Sequence, residues 1–100
     1  MVIVLVRTEL RADADVAAYD ALGARMYEIV SAMPGFVGIQ ELASPEGDKV
    51  SLIRFASLEA LRAWREEPEH VAAQARGKAE FYASYDIEVC EVVRAYGGPR

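Results

Sequence analysis

The chain has 100 residues, of which 53% are hydrophobic and 27% charged, which is ample apolar material for a packed core and too much for a disordered chain. Eleven Lys+Arg against sixteen Asp+Glu give a net charge of −5, which argues against a general electrostatic grip on nucleic acid or an anionic membrane. The longest unbroken apolar run, Met1–Val6, is too short to span a bilayer and has no basic leader before it, so neither a membrane segment nor a signal peptide is expected and a cytoplasmic location is.

No low-complexity segment, charge block or linker divides the chain, so residues 1–100 are expected to form one domain. Residues 2–10, VIVLVRTEL, predict a strand with Val2, Val4 and Val6 on one side and Ile3 and Leu5 on the other, hence a central strand covered on both faces. Asp13 or Asp15 offers a helix N-cap, and apolar residues then recur at helical spacing from Val16 through Tyr19, Leu22, Met26, Ile29 and Val30 to Met33. Gly23 weakens this helix by about 1 kcal/mol relative to alanine, and a close packing contact is the expected reason. Pro34-Gly35 stops it. Residues 36–43 and 49–56 predict two strands joined by the Pro45-Glu46-Gly47-Asp48 turn, a β-hairpin.

Ser57 is a plausible N-cap for a helix carrying Leu58, Leu61 and Trp64. Pro68 interrupts the pattern and fits the first turn of a second helical segment, whose stripe runs Val71, Ala75, Ala79 and Tyr82. Residues 86–96 predict a last strand with apolar residues on both faces. The order β-α-β-β-α-β is the split βαβ, ferredoxin-like arrangement, an α+β fold with a four-stranded sheet. Two helices cover only one face of such a sheet. The other face is expected to pair with a second copy, giving a homodimer through the open sheet face.

Three stretches carry a family resemblance: MPGFVGIQ at 33–40, SLEALRAWREEPEH at 57–70 and FYASYDIEVCEV at 81–92. A Trp, a Pro and a His in the second helix, followed by paired aromatics and the last strand, resemble the antibiotic biosynthesis monooxygenase family of dimeric α+β barrels. The resemblance implies a four-stranded antiparallel sheet that pairs into a barrel. For activity it implies a cofactor-free monooxygenase acting on an electron-rich phenol, hydroquinone or anthrone-like ring. The superfamily also contains haem-degrading enzymes and proteins without a known role.

The residues that bear on chemistry each admit two readings. Six residues on an unbroken helix rotate by about 240°, so Trp64 and His70 share a cavity only if Pro68 re-aims the chain. In that case Trp64 forms an aromatic wall and His70 handles a proton near neutral pH. The plainer reading is a core Trp and a surface His. Tyr82 and Tyr85, near the end of the second helix, either hold a phenolic or quinone oxygen or fill a seam, and Tyr19 and Tyr27 stand in the first helix. Arg7 and Arg54, on central strands, either favour a bound anion from inside the cavity or pair with Glu9, Glu41 or Glu88. Gln40 is a candidate amide in the same cavity. Cys90, the only cysteine, reads as a small core hydrophobe. The Glu66-Glu67-Pro68-Glu69 cluster suits a helix N-terminus, and no metal-ligand spacing is present.

Neither a nucleotide-binding glycine motif nor a flavin motif is present, so no cofactor is expected. The haem-degrading branch resembles this fold but uses an Asn with a Trp and a His, and the chain contains no asparagine. The alternative to an oxygenase is a non-catalytic dimeric module that holds a small molecule or serves in stress.

Overall fold

The computed structural model describes residues 1–46 and 48–99; Gly47 of the expected turn lies outside the described residues. The elements in chain order are β1 (Val2–Leu10), α1 (Val16–Ser31), β2 (Phe36–Ala43), β3 (Lys49–Phe55), α2 (Leu58–Glu66), α3 (Pro68–Arg76), a π-helical turn (Gly77–Phe81) and β4 (Tyr82–Glu91). The strands lie in the order β2-β3-β1-β4, and every neighbouring pair is antiparallel. This is the ferredoxin-like α+β sheet, with β1 and β3 in its centre.

Local chemistry sets the element ends. The Asp15 carboxylate accepts from the Ala18 N–H at 3.0 Å to start α1, and the Ser57 hydroxyl accepts from the Ala60 N–H at 3.1 Å to start α2. Gly35, after α1, has φ +85°, and a Cβ there would lie 2.5 Å from that of Ala60, so glycine is required both for its backbone and for its size. The hairpin between β2 and β3 is closed by the Ser44 N–H, which donates to the Asp48 carbonyl at 2.9 Å.

The sheet has two unlike faces. Val2, Val4, Val6, Ile53 and Phe55 face the helices, where they pack with Val30, Leu61 and Trp64. Alternation puts Ile3, Leu5, Arg7, Leu52 and Arg54 on the opposite face, which no described element covers. The expected cover on both sides of β1 is therefore present on one side of the single chain. No described helix is long and apolar enough to cross a membrane.

The C-terminal third departs from expectation. The helical segment predicted through Ala79 to Tyr82 runs as α-helix to Arg76 and as the π-helical turn to Phe81, and β4 starts at Tyr82 rather than Asp86. Pairing decides this: Leu10 of β1 sits opposite Tyr82, so the sheet claims residues whose local spacing also suits a helix. Arg11 secures the junction. Its backbone N–H donates to the Phe81 carbonyl at 2.8 Å, and its guanidinium donates to the carbonyls of Lys78, Ala79 and Tyr82 at 3.1, 2.9 and 3.2 Å. At the other end β4 stops at Glu91. The Val92 N–H donates to the Met1 carbonyl, and beyond it Val93 and Tyr96 stand 97% and 87% exposed rather than in a strand.

Candidate active site

The core fills one half of the helix–sheet interface and leaves the other half hollow. Along the helix-facing side, β1 passes from Val2 and Val4 to Val6 and Thr8, while β3 runs from Phe55 and Ile53 back to Ser51 and Lys49. Small and polar side chains cannot fill the space beneath the helices there. The result is a cleft of about 920 Å³, within the usual range for ligand sites. Tyr85, Ile87 and Val89 of β4 form part of its floor and remain 44%, 52% and 49% exposed. Trp64, His70, Tyr19, Gly23 and Tyr82 also line it.

The break between α2 and α3 builds the centre of this cleft. Glu67 is extended, with φ −62° and ψ 126°, so it ends α2 and starts α3. Its N–H donates to the Trp64 carbonyl at 3.2 Å, its carboxylate accepts from the His70 N–H at 2.8 Å, and Pro68 supplies the first residue of α3. The break carries residue 70 back over residue 64. The two rings stack with centroids 3.8 Å apart and planes 11° from parallel.

The His70 tautomer follows from its partner. Nδ1 lies 2.8 Å from the Trp64 carbonyl, which can only accept, so Nδ1 carries the hydrogen and donates it. The lone pair of the neutral ring is then on Nε2. No described group hydrogen-bonds Nε2, and no polar atom of a half-buried side chain is sealed without a partner, so Nε2 is accessible, on a ring that lines the cleft. Burial holds the imidazole pKa below the ordinary 6.5, against the Trp64 carbonyl and the Glu67 charge, which both favour the imidazolium. His70 is therefore a neutral base at pH 7.

Tyr82 supplies the opposite property. Burial, reinforced by Tyr19, pushes its phenol up to about 12, so it stays a hydrogen-bond donor at neutral pH. Its ring lies over Gly77, where any Cβ would strike it, and edges onto Tyr19 with centroids 6.1 Å apart. Tyr85 lies 6.0 Å from Tyr82, and the Lys78 ammonium stands 5.5 Å from the Tyr85 ring centre. Both tyrosines are on β4, not on the second helix as the sequence spacing predicted.

Arg7, Arg54 and Gln40 are not in the cleft. Residues 39, 41, 51, 53 and 55 line the cleft, so 40 and 54 point away, and Arg7 shares the face of Ile3 and Leu5. Across that face the Arg54 guanidinium donates to the Gln40 Oε1 at 2.9 Å, and Arg7 pairs with Glu88 at 3.0 Å. Strand parity, legible in the sequence, carries this distinction. The same parity brings Lys49 and Glu41 to the cleft, and Gln74 joins them one helical turn after His70. Cys90 is unpaired and half-buried on the opposite face. Among the described residues no group of three His, Cys, Asp or Glu side chains is placed to hold a metal ion.

With this geometry in hand, likeness to known proteins is informative. The family model described as antibiotic biosynthesis monooxygenase matches residues 1–76. The uncharacterized protein YqjZ of Bacillus subtilis (strain 168) is 30% identical over 76 residues, covering 76% of this chain and 67% of the relative. Among solved structures, Rv0793 from Mycobacterium tuberculosis superposes with a TM-score of 0.80 at 24% identity, covering 96% of this chain and 98% of that one. SnoaB, a cofactor-independent oxygenase from Streptomyces nogalater, superposes with a TM-score of 0.75 at 16% identity, covering 94% of both chains.

Proposed function

Because this chain belongs to the antibiotic biosynthesis monooxygenase family, we propose that it oxygenates a flat, electron-rich phenol, hydroquinone or anthrone-like molecule held in the helix–sheet cleft, with O₂ as the only co-reactant. The observation that carries this reading is the neutral His70 ring, stacked on Trp64 and hydrogen-bonded through Nδ1, which leaves Nε2 free on a ring that lines the cleft. The likeness to a cofactor-independent oxygenase supports the absence of a cofactor.

The steps follow from what each residue can do. Nε2 takes the acidic proton of the substrate, and the resulting imidazolium is eased by the Trp64 carbonyl and the Glu67 charge. The substrate anion rests against aromatic walls, with the Tyr82 hydroxyl in the place that Arg54 and Arg7 were expected to fill. The anion passes one electron to O₂. The radical and superoxide couple to form a C–O bond and a peroxide. The imidazolium returns its proton to that peroxide, which loses water and leaves a carbonyl, so one oxygen atom enters the product and the other leaves as water.

The same reading pairs two copies through the face opposite the cleft, where Ile3, Leu5 and Leu52 present apolar side chains. A mass in solution near twice that of the chain supports this pairing, and a mass equal to one chain contradicts it. The oxygenase reading is tested by oxygen uptake with a panel of hydroquinones and anthrones, comparing the native protein with His70→Ala. Uptake that is lost in the variant supports it. Ligand binding without uptake from any member of the panel leaves the non-catalytic binding module as the better description.

A further inference from the structure

Gly23 was expected to be explained by a close neighbour, and the structure contradicts this. A Cβ built on Gly23 meets no atom within 4 Å. The residue lies mid-way along α1, where glycine weakens a helix, and neither a turn nor a tight contact demands it. It does line the cleft, together with Tyr19 and Tyr27 one turn to either side. Those two tyrosines are drawn apart. Tyr19 edges onto Phe81 and Tyr82, with centroids 5.5 and 6.1 Å away, while Tyr27 edges onto Phe36 at 6.4 Å. The helix thus presents a notch to the cleft, with glycine at its centre and a ring anchored at each rim.

We propose that Gly23 sets the size limit of the ligand: the missing side chain leaves width for fused rings, whereas a single ring at Trp64 and His70 does not reach it. This inference rests on the proposal that the cleft binds a flat aromatic molecule. It adds that one position of α1 selects among such molecules.

The test uses the native protein, Gly23→Ala and Gly23→Leu, with hydroquinone as the single-ring probe and anthrone as the fused-ring probe. Binding is read from quenching of Trp64, the only tryptophan in the chain. Gly23→Leu is expected to weaken anthrone binding by about tenfold or more and to leave hydroquinone within about twofold, with Gly23→Ala between native and Leu for anthrone. Gly23→Ala is expected to raise the thermal midpoint, by about 4–8 °C, because a helix former replaces glycine where its Cβ meets no atom within 4 Å. Unchanged anthrone binding in Gly23→Leu overturns the inference alone. So does an equal loss for both probes with a lowered midpoint, which marks a disturbed fold. If the native protein binds neither probe, the proposed function fails and the size limit fails with it.

Discussion

Arg11 ties the end of β1 to the start of β4, and its replacement has a calculable consequence. The side chain donates three hydrogen bonds to the carbonyls of Lys78, Ala79 and Tyr82, just beyond the register shift between Glu9 and Leu10 where β1 meets the start of β4. An exposed charged hydrogen bond contributes about 0.5–1 kcal/mol net, and holding the long side chain in one rotamer offsets about 1 kcal/mol of the sum. Arg11→Ala should therefore lower stability by about 0.5–2 kcal/mol, a fall of roughly 2–16 °C in the thermal midpoint of a domain this size. Arg11→Lys separates charge from geometry. An ammonium acts as a single point donor and cannot span three carbonyls, so it should recover only about a third of the loss. Urea denaturation of the three proteins gives the free energies, and amide hydrogen exchange shows whether the loosening is confined to residues 77–84. Full stability in Arg11→Lys would refute the forked contact as the cause, as would a loss in Arg11→Ala spread evenly over the sheet.

Two further outcomes are expected. Gly77→Ala places a methyl against the Tyr82 ring; it should cost about 1 kcal/mol net, since overpacking exceeds the gain in helix preference, and ultraviolet titration should show the Tyr82 phenol falling from about 12 toward 10.0. His70 is held below 6.5 by burial, so the unfolded chain takes the proton more readily. Stability is therefore full above about pH 6.5 and declines as pH falls below it, a decline that His70→Gln should remove when urea midpoints are compared at about pH 7.5 and about pH 5.

Much of the fold was legible in the residues because local and tertiary preferences agree there. The alternation of Val2, Val4 and Val6, the cap at Ser57 and the break at Pro68 each predict what the structure contains. The stretch from Tyr82 to Tyr85 was not legible, because its apolar spacing continues the helical stripe until the nine residues of β1 offer a pairing partner. That competition is settled by contacts some seventy residues apart in sequence, such as Arg11 to Tyr82. The stacking of His70 on Trp64 was within reach once Pro68 was taken as a change of direction. Of the two readings open to Arg7, the ion pair with Glu88 is the one present, and strand parity sends Arg54 and Gln40 as well to the face away from the cleft. Gly23 shows a different limit: a sequence displays the missing side chain but not whether a neighbour or a hollow occupies the space.

The most direct test of the central claim, that the His70–Trp64 cleft carries out oxygenation, is a reaction of the protein with anthrone under ¹⁸O₂, followed by mass spectrometry of the product. One labelled oxygen atom per product molecule is predicted, with the rate at which labelled product forms over the protein-free reaction falling at least about a hundredfold in His70→Ala. An unlabelled product, or labelled product formed at equal rates by the native protein and His70→Ala, would contradict it.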